Sequence, residues 1–129
     1  MKDIKALKKV YLEKYDVNVT PYLTYAQIEQ MIIAVGEMFN WAERQVNIDM
    51  LLLAHTTDIS KQDLEQIGHK KLFESGLISA VRETVLNYAE FEKALEYHTS
   101  LQKNLSSVLK KLTPDFMEKV KAVVTTRKK

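Results

Sequence analysis

Three histidines, an acid set among apolar residues and a few hydroxyls are the side chains of this 129-residue chain whose types suit chemistry. A helix-borne metal site needs a second ligand three or four residues away, so that both side chains share one face. His55, His69 and His98 have no second histidine at that spacing. Glu92 and Glu96 are four apart and can share a face, but neither stands three residues before a histidine, as a di-iron arrangement requires. The sequence therefore predicts no metal and no cofactor. Asp49 interrupts an apolar helical run and can pair with His55 or Arg44; nothing nearby supplies a nucleophile or an oxyanion-stabilising loop. Ser60 and Thr56-Thr57 read as caps and turn residues, and glycine-rich phosphate loops are absent. No catalytic residue is assigned, and the reading is non-enzymatic.

The elements that position these residues are helical. Glycine and proline number only three and two, which argues for helices joined by short turns. The longest pattern runs from Asn87 to Leu112, where Phe91, Ala94, His98, Leu101, Leu105, Val108 and Leu112 recur at steps of three and four. Asn87 with Glu90 has the form of a capping box, and Thr113-Pro114 ends the run. Such a helix spans roughly 37 Å at 1.5 Å per residue. Ahead of it, Thr24 with Gln27 starts a first helix carrying Ile28, Met31, Ile32, Val35, Met38 and Phe39. Asn40-Trp41-Ala42-Glu43 restarts a second, with Trp41, Val46, Ile48 and Met50 to Leu53. Met50 to Ala54 is apolar on every side and should be surrounded by helices. His55 to Ile59 reads as a connector, Ser60 caps a short third helix ending at Gly68, and short pieces follow from His69 and from Leu77. Pro114 opens a last helix bearing Phe116, Val120, Val123 and Val124.

The predicted fold is all-α: a five- or six-helix bundle built on a long C-terminal helix at about 88–112, with an extended or partly helical N-terminal arm. The organisation expected is an arm at 1–20, a helical domain at 21–126 and a basic tail at 127–129. In the arm, Ile4, Leu7 and Tyr11 would form a stripe on a short helix, and Tyr15 to Pro21 should be extended. The arm is too apolar for a disordered tail and should pack on its own body or on a neighbour.

With no cysteine, disulfides and thiolate chemistry are excluded. No 18-residue apolar run or signal peptide is read, so neither membrane insertion nor secretion by a signal peptide is expected. Net charge is +2, unevenly spread. Residues 17–96 carry six Lys or Arg against twelve acids, while residues 97–129 carry eight against two. An acidic body with a basic end suits an acidic partner. Lys110, Lys111, Lys119, Lys121, Arg127, Lys128 and Lys129 could neutralise phosphates without reading sequence, so any nucleic-acid contact would be non-specific. Ser60 to Val85 has the outline of a helix-turn-helix, but its would-be recognition segment offers only Arg82 to a base or phosphate. Tyr11 and Tyr15 of the arm join the basic cluster as candidate partner contacts.

The strings "YLTYAQIEQMI", "WAERQVNIDMLLLAHTTDI" and "IGHKKLFESGLISAV" resemble small helical proteins of tailed phages of Gram-positive bacteria, encoded among virion-morphogenesis genes. The resemblance covers roughly residues 22–112 and rests on cap-and-core sequence, so it transfers no functional residue. It implies a phage-encoded helical protein; taken with the absent chemistry, the apolar arm and the charge split, it leads to the expectation of a virion assembly protein of the head-tail connector or adaptor type, in the virion or host cytoplasm. Its partners would be other virion subunits, most simply copies of itself in a ring. The alternative is a small phage effector that binds a host protein or nucleic acid to regulate or inhibit it.

Overall fold

The computed structural model describes residues 7–111, with side chains described as far as residue 105. The last helix expected from Pro114 and the cap-breaking Thr113 lie outside the described residues. The chain divides into two compact units, Met1–Glu96 and Tyr97–Lys129.

The described residues are mostly helical, in keeping with the all-α expectation, with one small sheet. Helices α1 (Tyr25–Val35), α2 (Trp41–Thr56), α3 (Lys61–Ile67), α4 (His69–Glu74), α5 (Leu77–Thr84) and α6 (Tyr88–Lys111) follow two strands, β1 (Val10–Leu12) and β2 (Val17–Val19). Local chemistry sets three of the starts. The Thr24 hydroxyl accepts the Gln27 N–H while the Gln27 side chain accepts the Thr24 N–H, a complete capping box. Asn40 and Ser60 accept the N–H groups of Glu43 and Asp63, so two further helix ends satisfy orphan donors.

Four expectations are corrected. Val10 to Leu12 is a strand, not a helical stripe, because Val10, Tyr11 and Leu12 pair antiparallel with Val19, Asn18 and Val17. A 3-10 turn at Glu13–Tyr15 joins the strands and closes at Asp16, which is left-handed at φ 52°. Helix α2 continues through His55 and Thr56, where a connector was expected. The Thr56 and Thr57 hydroxyls donate back to the carbonyls of Leu52 and Leu53 and so carry the last turn. Met50 to Ala54 is not encircled: Leu52 and Leu53 are fully buried, Met50 and Leu51 half-buried and Ala54 exposed. Finally, α1 stops at Val35, which leaves Met38 and Phe39 off the helix that was to bury them.

In the first unit the core gathers one apolar stripe from each element. Val17 and Val19 come from the hairpin and Ile28, Met31 and Val35 from α1. Ile48, Leu52 and Leu53 from α2 meet Leu64, Leu72, Ile78, Val81 and Phe91 from the later helices. Burial of this apolar area, at about 25 cal/mol per Å², is the main drive to fold. The hairpin is built into this unit. Val19 bridges Thr57, Thr20 N–H donates to the Thr56 carbonyl at 2.6 Å, and Asp58 N–H donates to the Asn18 carbonyl at 3.2 Å. In the second unit, Tyr97, Leu101 and Leu105 of α6 are exposed and His98 is half-buried. The stripe predicted through Leu101 and Leu105 is thus not covered at those residues, and the side chains of Val108 and Leu112 lie outside the description.

Candidate functional site

The most concentrated chemistry lies at Asp49. This carboxylate is 1% exposed in the middle of α2, and a lone buried carboxylate would be far too costly to keep charged. Its partners come from two later helices. Oδ2 accepts His69 Nε2 of α4 at 2.8 Å, and Oδ1 accepts Arg82 Nη2 of α5 together with Gln45 Nε2 at 3.0 Å. His69 and Arg82 were not expected as its partners: Asp49 was read against His55 or Arg44. Both partner side chains are partly exposed, His69 at 23% and Arg82 at 31%, so the carboxylate is buried while its partners reach water.

Aromatic rings brace both side chains. The His69 ring stacks on Phe73 at 5.8 Å and 27°, and the Arg82 guanidinium lies 5.8 Å from the centre of the Tyr88 ring. Burial pushes the Tyr88 hydroxyl above its ordinary pKa; nearby Glu92 and Asp49 push the same way and Arg82 opposes. Burial likewise lowers the pKa of His55, in the last turn of α2. An Asp-His pair is half of a nucleophile-activating arrangement, but among the described residues no hydroxyl hydrogen-bonds the other ring nitrogen of His69. No group of three His, Cys, Asp or Glu among the described residues has metal-holding geometry. The arrangement's plain capability is to lock α2, α4 and α5 together. It also commits Arg82, the one cation of the suspected recognition segment.

The candidate partner contacts separate. Tyr11 is exposed on β1 and donates its hydroxyl to Asp16 Oδ1 at 2.6 Å, a bond that raises the phenol's pKa. Tyr15 is half-buried and donates to the Ser75 carbonyl at 2.9 Å, tying the hairpin to the end of α4. Lys110 and Lys111 close α6, while Lys119, Lys121, Arg127, Lys128 and Lys129 lie outside the described residues. The two tyrosine hydroxyls are thus spent on different partners, and the side chains of all seven basic residues lie outside the described ones.

Two surfaces escaped sequence reasoning. One is the corner between α1 and α2, where Phe39 is 99% exposed, Trp41 is 77% exposed, and Ile33 of α1 is also exposed. Periodicity had placed Phe39 and Trp41 in the core. The other is a groove beside Tyr15, formed by segments far apart in sequence. No described helix is long and apolar enough to cross a membrane. No protein-family model, characterised protein or solved structure matches the chain.

Proposed function

We propose that this chain is a non-enzymatic assembly protein that joins copies of itself through repeated protein contacts, serving as a head-tail connector or adaptor in a phage virion. The observation that carries the assembly reading is the outward display of Phe39 and Trp41 on either side of the Asn40 cap. A large aromatic left in water forgoes the 150–250 Å² of burial such a side chain commonly contributes, and tryptophan is prominent among residues that anchor protein interfaces. Scattered exposed aliphatics are ordinary; a tryptophan and a phenylalanine flanking one rigid cap are a better anchor. The chemistry-bearing cluster supports the same reading, since both oxygens of Asp49 are spent on internal partners. The virion role rests on the sequence resemblance, and a ring fits a surface whose partner lies elsewhere on the next copy.

Sedimentation velocity over a concentration series tests assembly. Wild-type protein should form discrete oligomers, and Phe39→Ser with Trp41→Ser should shift them to monomer without lowering the melting temperature, because both side chains are exposed. Mass spectrometry of virions from the encoding phage tests the role. A chain that stays monomeric at every concentration and is missing from virions overturns the reading and leaves the corner as a surface for a host protein.

A further inference from the structure

A groove of about 690 Å³ opens beside the hairpin turn, walled by the residues around Asp58 and by α3 and α4. Its apolar lining includes Ile59, Ile67 and the buried Leu72. Around this lining stand the exposed carboxylates of Asp16, Asp58 and Asp63, with the ammonium of Lys71 on the lining itself and that of Lys9 near enough to Asp58 to favour its charged form. The carboxylates are built in. Asp16 accepts the Tyr11 hydroxyl, and the Asp58 oxygens accept the backbone N–H and the side-chain amide of Asn18 at 3.1 and 3.0 Å. A carboxylate has about four acceptor positions, so each keeps lone pairs for an incoming cation. The volume suits a few residues of an inserted chain rather than a folded domain.

An occupant must bring positive charge with interspersed aliphatic groups. This chain's own sequence supplies such a segment: Lys119, Val120, Lys121, Val123 and Val124 lead to Arg127-Lys128-Lys129. We infer that the groove receives part of the basic C-terminal end of a second copy, its lysines or arginine on the carboxylates and a valine on the apolar lining. The inference rests on the self-assembly reading and adds to it a head-to-tail contact, in which the groove of one subunit meets the end of the next. Opposite charge would steer the encounter, and the apolar lining would add what salt cannot screen.

Zero-length carbodiimide coupling of an equal mixture of 15N-labelled and unlabelled full chain tests this, because it joins a lysine directly to a carboxylate in contact with it. Mixed-isotope links should connect Lys119, Lys121, Lys128 or Lys129 to Asp16, Asp58 or Asp63. They should fall about fivefold or more as ionic strength rises from roughly 0.05 to 0.5 M. An excess of a peptide spanning residues 114–129 should compete them away, whereas the same peptide with Gln at every Lys and Arg should not. Ile67→Ser, at an exposed position, should weaken the Asp63 links while leaving the melting temperature unchanged. Links found only within one isotope, links scattered over other acids, or no links at all would each overturn the inference. If self-association through the Trp41 corner persists without these links, the groove fails and the assembly reading stands; a chain that never self-associates removes both.

Discussion

Asn87 spends its whole side-chain amide on the backbone of Leu23. Its Oδ1 accepts the Leu23 N–H at 2.8 Å and its Nδ2 donates to the Leu23 carbonyl at 2.8 Å, across 64 residues of sequence. Leu86 N–H donates to the Pro21 carbonyl beside it at 2.8 Å. The residues before α1 are thereby stitched to those before α6 by a side chain that imitates a neighbouring strand. The cap role predicted for Asn87 is not what its side chain does.

Asn87→Ala should consequently cost more than an exposed cap. The partly buried Leu23 N–H and carbonyl lose both partners, and leaving such groups unpaired costs about 1–3 kcal/mol. Asn87→Asp should not rescue it, because a carboxylate accepts from the N–H but repels the Leu23 carbonyl. Urea denaturation checks this; an Asn87→Ala midpoint equal to wild type would remove the pairing as a stabilising feature.

The ion cluster at Asp49 makes a second prediction. Asp49→Ala strips Arg82 of its anion and His69 of its acceptor, and breaking a buried pair from one side commonly costs about 3–5 kcal/mol. The loss should fall toward the lower end, since His69 and Arg82 are partly exposed and can recover water. Asp49→Leu combined with Arg82→Met should cost clearly less than the sum of the two single changes, because neither member of the Asp49–Arg82 pair is then left behind without the other. Denaturant melts of the four proteins measure the coupling, and strict additivity would count against it.

How much of this was legible follows the reach of each interaction. The starts at Thr24, Asn40 and Ser60 could be read because cap and partner sit three residues apart. Asp49 was visible as an anomaly, a carboxylate in an apolar helix, but beyond Gln45 on the same helix its partners His69 and Arg82 lie 20 and 33 residues away and nothing local points to them. Phe39 and Trp41 were misplaced because periodicity registers that a side chain is apolar, not that one helix has already ended before Phe39 or that Trp41 stands in the exposed first turn of the next. The groove was invisible for the same reason as the Asp49 partners: Tyr15, Asp58 and Ile67 meet only after folding.

Asp58 should titrate below the ordinary carboxylate value of about 3.9. The side-chain and then the backbone hydrogen bonds from Asn18 favour its charged form and hold its pKa down. With the folded pKa below the unfolded one, the associated stability is present above the unfolded value and is lost as pH falls through the folded value. The residue is exposed, so the loss should be small and best followed site by site. A carbon-detected NMR titration of Asp58 in wild type and in Asn18→Ala reads it directly. The variant should move the midpoint upward, and an unchanged midpoint would show that Asn18 is not the cause.

Gly76 and Tyr15 should be energetically coupled. Gly76 caps the start of α5 at φ 86°, where a side chain costs about 1–2 kcal/mol, and a Cβ built there would stand 2.9 Å from the Tyr15 hydroxyl. The backbone penalty is unavoidable in Gly76→Ala, but the contact is relieved if Tyr15 swings away, at the cost of its bond to the Ser75 carbonyl, about 1 kcal/mol. Tyr15→Phe removes both the hydroxyl and that bond beforehand. Gly76→Ala should therefore destabilise the Tyr15→Phe protein by less than it destabilises wild type, with the difference near 1 kcal/mol. Urea melts of the two single variants, the double variant and wild type close the cycle. Equal costs of Gly76→Ala in the two backgrounds would mean that the hairpin turn and the start of α5 do not sense one another through this hydroxyl.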